Sequence, residues 1–78
     1  MTDSDEQLDA RGLRCPLPIL KAKKRLHELQ PGRILRVLAD DPGSVQDFQS
    51  FSRQTGNELL ELRELEGHYI FVLRRGAG

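Results

Sequence analysis

The sequence predicts an α/β protein, a two-layer sandwich of order βαβαββ in which two helices pack on one face of a four-stranded mixed sheet. Apolar residues within 16–30 recur at the spacing of a helix, whereas those within 34–39 alternate as in a strand. A helix between successive strands implies crossover connections, which place both helices on one side of the sheet. The length of 78 residues suits one small domain.

The first elements follow from polarity and spacing. Residues 1–6 are polar and acidic, and we expect them to form a flexible N-terminal tail. One apolar alternation predicts a short first strand over 7–10. The first helix is predicted over 16–30, where Pro31-Gly32 stops it. Its apolar stripe consists of Ile19, Ala22, Leu26 and Leu29.

The middle of the chain predicts a strand over 34–39 and then a second helix. This helix is expected to begin near Asp41-Pro42 or Ser44, whose side chains can cap it, and to end before Gly56. Its apolar stripe comprises Val45, Phe48, Phe51 or Ser52, and Thr55.

The last segment is the ambiguous one. Residues 57–66 favour a helix by propensity, but the apolar strand after them needs a partner. We therefore predict a hairpin of 58–66 and 68–75. The single domain is expected to span 7–75, with a C-terminal tail at 76–78.

Charge and composition argue against several function classes. The chain has 12 basic and 12 acidic residues, three Phe, one Tyr and no Trp, so direct nucleic-acid binding is not expected. No apolar run is long enough for a membrane span, and the N-terminus does not resemble a signal peptide. We expect a cytoplasmic protein without membrane contact.

Cys15 is the single cysteine of the sequence. One cysteine excludes an internal disulfide, and together with His27 and His68 it cannot fill a tetrahedral zinc site, so no metal or cofactor is expected. No histidine is close enough in sequence to assign as a base. Cys15 is thus predicted to hold and pass on a group, rather than to act in a stand-alone multiple-turnover enzyme.

The environment of Cys15 predicts a reactive thiol. Pro16 is typical of the first helical position, which places Cys15 at or next to the helix N-cap. The free amides there, with Arg14 and Arg11, favour an anion and are expected to lower the thiol pKa from ~8.5 to roughly 3.5–7.5. Pro18 removes a further amide and stiffens the loop. The alternative to a reactive thiol is that Cys15 is buried and acts only as a small hydrophobic residue.

The basic residues predict a docking surface. Residues 11–25 hold six of the twelve basic residues and no acidic one. On a helical wheel Leu17, Lys21 and Lys24 point together, away from the apolar stripe. This face is suited to acidic partners, and the alternative is a merely solvated basic face.

The segments LDARGLRCPLPILKAKK, ADDPGSVQDFQSF and TGNELLEL resemble the TusA family of sulfur carrier proteins, also called SirA-like. The resemblance runs from about Leu8 to Arg75 and includes a Cys-Pro-x-Pro element after a short strand. It implies the βαβαββ sandwich, with 58–66 as a strand. It also implies that Cys15 accepts sulfane sulfur as a persulfide from a cysteine desulfurase or rhodanese.

Acceptors in that family include DsrE-type relay proteins that serve tRNA thiolation, molybdenum cofactor assembly or sulfur oxidation. A monomer is expected. Leu17 stands where some members carry an acidic residue, and Ser52 where some have a second cysteine. Two other functions remain open from the residues alone: an RNA-binding or regulatory adaptor that uses the basic helix face, and a redox sensor that forms mixed disulfides through Cys15.

Overall fold

A computed structural model describes residues 4–77 and has the predicted element order. The sheet order is β1-β2-β4-β3, with β1 and β2 parallel and the other neighbouring pairs antiparallel. The predicted mixed sheet is confirmed, and the ambiguous segment is a strand. The elements are β1 (Glu6–Asp9), α1 (Leu17–Glu28), β2 (Ile34–Ala39), α2 (Gly43–Gln54), β3 (Glu58–Leu65) and β4 (His68–Arg74).

The main hydrophobic core lies between the helices and one face of the sheet. Phe48 of α2 stacks on Phe71 of β4 with ring centroids 4.2 Å apart, and both side chains are fully buried. The predicted α1 stripe is confirmed, since its three helical members are buried. Because residues of both helices share one cluster with the sheet, both helices cover the same face. The cluster includes Leu8, Ile19, Ala22, Leu26, Leu35, Val37, Phe51 and Leu73.

The helix-free face of the sheet bears the charged residues Arg36, Glu61 and Arg63, but it also has an apolar cluster of its own. Leu38, Ile70 and Val72 alternate with the main core along β2 and β4, and they are at most 9% exposed. Half-buried Ile34 and Leu60 pack against them. A second small apolar cluster therefore holds the strands together on this side.

The β3–β4 hairpin closes through the two-residue turn Glu66-Gly67. Both turn residues have positive φ, 46° and 84°, and the flanking Leu65 and His68 are paired. This is the conformation of a type I′ turn, whose twist matches that of the strands and which glycine adopts without strain.

The N-terminal boundary differs by one residue from the prediction. β1 begins at Glu6 rather than at residue 7, and the backbone N–H of Asp5 already donates to the carbonyl of Ile34 at 2.9 Å. The N–H of Ile34 in turn donates to the Asp5 carboxylate at 2.8 Å. Residues 1–3 of the predicted tail lie outside the described residues.

At the C-terminus, β4 ends at Arg74, so the predicted second hairpin strand is one residue too long. The N–H of Gly76 donates to the side-chain oxygen of Asn57 at 2.9 Å. The predicted tail over 76–78 thus starts with a residue bonded to the β3 side of the domain, and residue 78 lies outside the described residues.

Candidate functional site

Two loops meet at one edge of the sheet. Because β1 and β2 are parallel neighbours, their carboxyl ends lie side by side, and each is followed by a loop that leads into a helix. The backbone N–H of Gly12 donates to both oxygens of the Asp40 carboxylate, at 3.0 and 3.1 Å. Gly12 has φ 85°, which glycine adopts freely. This bond joins the loop after β1 to the loop after β2.

Cys15 lies on the first of these loops and is exposed. Its backbone N–H donates to the Asp41 carboxylate on the second loop at 2.5 Å. A Cβ placed on Gly43 would lie 3.1 Å from the Cβ of Cys15 and 3.5 Å from its Sγ. The start of α2 therefore passes so close to the cysteine that only glycine fits without displacing a neighbour.

The predicted side-chain cap of α2 is wrong. The N-cap is Pro42, and in the described structure no side chain makes a capping hydrogen bond there. Asp41 directs one carboxylate oxygen to the backbone of Cys15, while the other has only a long 3.4 Å contact with the N–H of Gly43. The helix does begin next to Asp41-Pro42, but Asp41, one of the predicted capping residues, positions the cysteine instead.

The start of α1 also differs from the prediction. Pro16 is the N-cap rather than the first helical residue, so Cys15 lies just before the cap, as one of the two predicted placements allowed. The peptide bond between them is cis. The N–H of Leu17 donates to the carbonyl of Arg14 at 2.8 Å, so this amide is not free for the sulfur. Pro18 is buried in the first turn of the helix.

The nearest polar partner of the thiol is Asp47 on α2. The Sγ of Cys15 donates to a carboxylate oxygen of Asp47 at 2.6 Å. Asp47 is half-buried and lies about one turn after the start of α2, whose beginning packs against the cysteine. The site is therefore a thiol at the junction of two loops, with a carboxylate from the second helix in direct contact.

The prediction of a lowered thiol pKa is wrong. The hydrogen bond to Asp47 raises the pKa of Cys15 above its ordinary value, and partial desolvation by neighbouring atoms and the negative charges of Asp47 and Asp41 raise it further. Arg11, which was expected to lower this pKa, instead directs its guanidinium to Asp9 at 2.9 and 2.8 Å and does not contribute to the shift. Arg14 is exposed next to the cysteine. The local sequence is basic, but the fold brings in carboxylates from thirty-two and twenty-six positions away.

The predicted docking residues lie together on the exposed side of α1. Leu17 is 45% exposed, and Lys21 and Lys24 are also exposed. The sequence analysis missed Leu20, which is 50% exposed on the same helix. Its spacing, three residues after Leu17 and four before Lys24, would have identified it. We call Leu17, Leu20, Lys21 and Lys24 the outer face of α1.

Neither histidine reaches the cysteine through an observed bond or ion pair within the described part of the chain. Among residues 4–77 no group of three His, Cys, Asp or Glu side chains is arranged to hold a metal ion. In the same residues, neither helix has the length and apolar character needed to cross a membrane.

Known proteins resemble this chain over nearly its whole length. The family model described as sulfurtransferase TusA matches residues 6–75. A sulfur carrier protein TusA of Allochromatium vinosum is 53% identical over 75 residues, which cover 96% of this chain and 99% of the relative. A sulfur carrier protein TusA of Pseudomonas aeruginosa is 40% identical over 78 residues, covering 99% of each.

The fold also matches a solved structure. The crystal structure of a SirA-like protein from Desulfitobacterium hafniense superposes with a TM-score of 0.81 at 33% sequence identity. The match covers 91% of this chain and 97% of that one.

Proposed function

Since the chain belongs to the TusA family of sulfur carrier proteins, we propose that Cys15 is the residue on which it carries sulfur. The observation that supports this role is the position of the thiol. It is the single cysteine of the sequence, and it is exposed where two loops meet at the sheet edge. A partner protein can therefore reach the sulfur without any opening of the fold.

The proposed reaction moves one sulfur atom between cysteines. The Cys15 thiolate attacks the terminal sulfur of a donor persulfide, a new S–S bond forms at Cys15, and the donor's S–S bond breaks. The donor leaves as a thiolate, so the reaction needs no external oxidant or reductant. In the second transfer an acceptor thiolate attacks the terminal sulfur on Cys15 and releases the Cys15 thiolate. The chain acts as a carrier in a relay rather than as a stand-alone enzyme.

The proposed donor is a cysteine desulfurase or a rhodanese, and the proposed acceptor is a DsrE-type or another relay protein. Chemistry supports this choice of donor, because the reaction requires a protein that presents sulfane sulfur. The cytoplasm is the proposed compartment, because an exposed lone thiol that must stay reduced suits a reducing environment.

The outer face of α1 is the proposed docking surface for these partners. It combines two half-exposed leucines with two lysines on the helix that starts beside Cys15. An apolar centre with a charged rim is typical of protein interfaces. A partner with acidic residues around an apolar contact fits this surface, and its approach would bring the partner's sulfur toward the first turn of α1.

Mass spectrometry of the intact protein tests the role of Cys15. After incubation with a cysteine desulfurase and free cysteine, the wild-type chain is expected to gain the mass of one sulfur atom, and a reductant should remove it. The Cys15→Ser variant should fold normally and gain nothing. Sulfur loading on the serine variant, or no loading of the wild type by either a desulfurase or a rhodanese, contradicts the proposal.

A further inference from the structure

We propose that Asp47 is a positioning residue that keeps Cys15 as a neutral thiol in the free carrier. A cationic side chain of the sulfur-exchanging partner then pairs with Asp47 and allows the thiol to lose its proton. The inference rests on the proposed role of Cys15 as the sulfur-carrying residue and names how that site is controlled.

The contact between the two side chains defines which group carries the proton. A carboxylate only accepts hydrogen bonds, so an S–H group of Cys15 is the donor that can pair with the Asp47 oxygen 2.6 Å from its Sγ. A thiolate at this distance would place two negative charges in contact, which is unfavourable. The geometry therefore favours the S–H form of Cys15.

The charged groups around the sulfur all have to be considered. Asp47 faces it from α2, and Asp41 holds its backbone N–H from the loop after β2. Asp40 is occupied by the N–H of Gly12 on the same pair of loops. Two basic residues are near the site: Arg14 precedes Cys15 in sequence and is exposed, and Lys23 of α1 lines the same surface pocket as Asp47, with its Nζ 5.7 Å from the centroid of the Phe51 ring. The charges that shift the pKa of Cys15 are those of Asp47 and Asp41, and both raise it.

Sulfur transfer then requires a change at Asp47. When a partner's cation pairs with this carboxylate, its charge no longer opposes the thiolate, and the Cys15 proton leaves to solvent. The thiolate forms an S–S bond with the partner's terminal sulfur, the partner's own S–S bond breaks, and its departing thiolate takes up a proton. Protons and electrons balance over the step. In the free carrier the neutral thiol is a poor nucleophile and resists unspecific oxidation.

The two charged regions of the chain would then orient the partner. The lysines of the outer face of α1 attract acidic residues of the partner. Asp47 attracts a basic residue of the partner next to the reactive sulfur. Two sites that attract opposite charges define the orientation of a docked protein better than one charged patch does.

The test compares wild type with Asp47→Asn, which keeps the shape of the side chain and removes its charge. Ultraviolet absorbance of the thiolate against pH should show titration at lower pH in Asp47→Asn. Exchange with neutral hydroxyethyl disulfide near pH 7 should be about three- to tenfold faster in the variant, since lower nucleophilicity offsets part of the gain in thiolate. An unchanged titration curve overturns the proposal.

Charged disulfides test the second half of the proposal. Wild type should exchange faster with cationic cystamine than with anionic dithiodipropionate, and Asp47→Asn should reduce this preference by severalfold. Asp47→Glu, which keeps the charge, should restore it in part. Glu64→Gln on β3, at the far edge of the sheet from β1, is the matched control and should behave as wild type. An equal preference in wild type and Asp47→Asn contradicts the role of a cation.

The outcome can be separated from that of the proposed function. If wild type accepts sulfur from a desulfurase but its thiol titrates as in Asp47→Asn, the control by Asp47 is wrong and the carrier role of Cys15 stands. If wild type accepts no sulfur from either donor class but Asp47→Asn shifts the titration of the thiol, the sulfur-carrying role of Cys15 is wrong. The effect of Asp47 on the protonation of Cys15 is then still supported.

Discussion

The Cys15 thiol and the Asp47 carboxylate lie 2.6 Å apart although thirty-two positions separate them along the chain. Each reaches this place on a different element, the cysteine just before α1 and the aspartate on α2. Their contact gives the sulfur a negatively charged environment within a stretch of sequence that is basic. The chemistry of the site therefore depends on the packing of α2 against the loop after β1.

Gly43→Ala tests this packing directly. The added methyl group would lie 3.1 Å from the Cβ of Cys15, so the cysteine has to shift. Sulfur acceptance from a desulfurase is expected to slow about tenfold or more, because a small misplacement of a reacting atom is costly. The free energy of unfolding should change little, because the higher helix propensity of alanine offsets the cost of shifting the cysteine.

Gly56→Ala is the matched control for this variant. A Cβ at Gly56 meets nothing within 4 Å, so the same change of residue type leaves the sulfur untouched. Its transfer rate should equal that of wild type. Equal rates for all three proteins would mean that the position of the thiol is not set by the start of α2.

Much of the fold was predictable because it follows from local patterns. The alternation in 34–39 places Leu35, Val37 and Ala39 in the main core, as the stripe of α1 places its own members there, although the opposite face of β2 also buries Leu38. The type of 58–65 was not determined by propensity, because Leu, Glu and Arg favour a helix while pairing with β4 requires a strand. Pairing with a neighbour outweighs local preference there.

The site was predictable only in part. Cys15 could be identified because a lone cysteine before a Pro-x-Pro element is a local signal. Asp41 and Asp47 could not be assigned to it, since their contacts with the cysteine arise from the crossing of two loops and a helix. The thiol pKa was predicted in the wrong direction for this reason: neighbours in sequence are basic, but neighbours in space are acidic.

The stacked rings at the centre of the core are expected to dominate stability. Phe48 and Phe71 are both fully buried, so Phe48→Ala removes a large side chain and leaves a cavity between α2 and the sheet. Such a change costs about 3–5 kcal/mol, and small domains have only about 5–15 kcal/mol in total. Urea unfolding should show a large drop in midpoint. Phe48→Leu should lose clearly less, and equal losses would contradict the cavity argument.

The pair of Asp9 and Arg11 predicts a pH dependence of stability. The hydrogen bonds from Arg11 lower the pKa of Asp9 to about 2, whereas an unfolded aspartate titrates near 3.9. Because the folded pKa is the lower one, the stabilisation is fully present above about pH 4 and is lost as the pH falls through 2. Both side chains are about half exposed, so the effect is small.

Asp9→Asn measures this contribution. Its urea midpoint should be slightly below that of wild type at neutral pH, and the two midpoints should converge near pH 2. A difference of the same size at both pH values would show that the asparagine acts through the backbone of β1 rather than through the lost charge.

Docking of the partner is expected to depend on the outer face of α1. Lys21→Glu and Lys24→Glu should each slow sulfur transfer by severalfold at low salt and limiting protein, because attraction between oppositely charged surfaces raises the association rate. Added salt should slow wild type more than either variant, since screening weakens an attraction that each substitution has already reduced. Both lysines are exposed, so melting temperatures should stay close to that of wild type.

Arg63→Glu is the control for this last prediction, because it changes the net charge by the same amount from an exposed position on β3. Leu20→Ser probes the apolar half of the surface: half of its side chain is exposed, so it should weaken transfer at every salt concentration while stability changes little. The salt dependence of the transfer rate then separates the charged from the apolar contribution. Charge reversal makes the rate less dependent on salt, whereas loss of the leucine lowers the rate equally at every salt concentration. If Arg63→Glu slows transfer as much as the lysine variants do, net charge rather than this face controls association, and α1 does not form the docking surface.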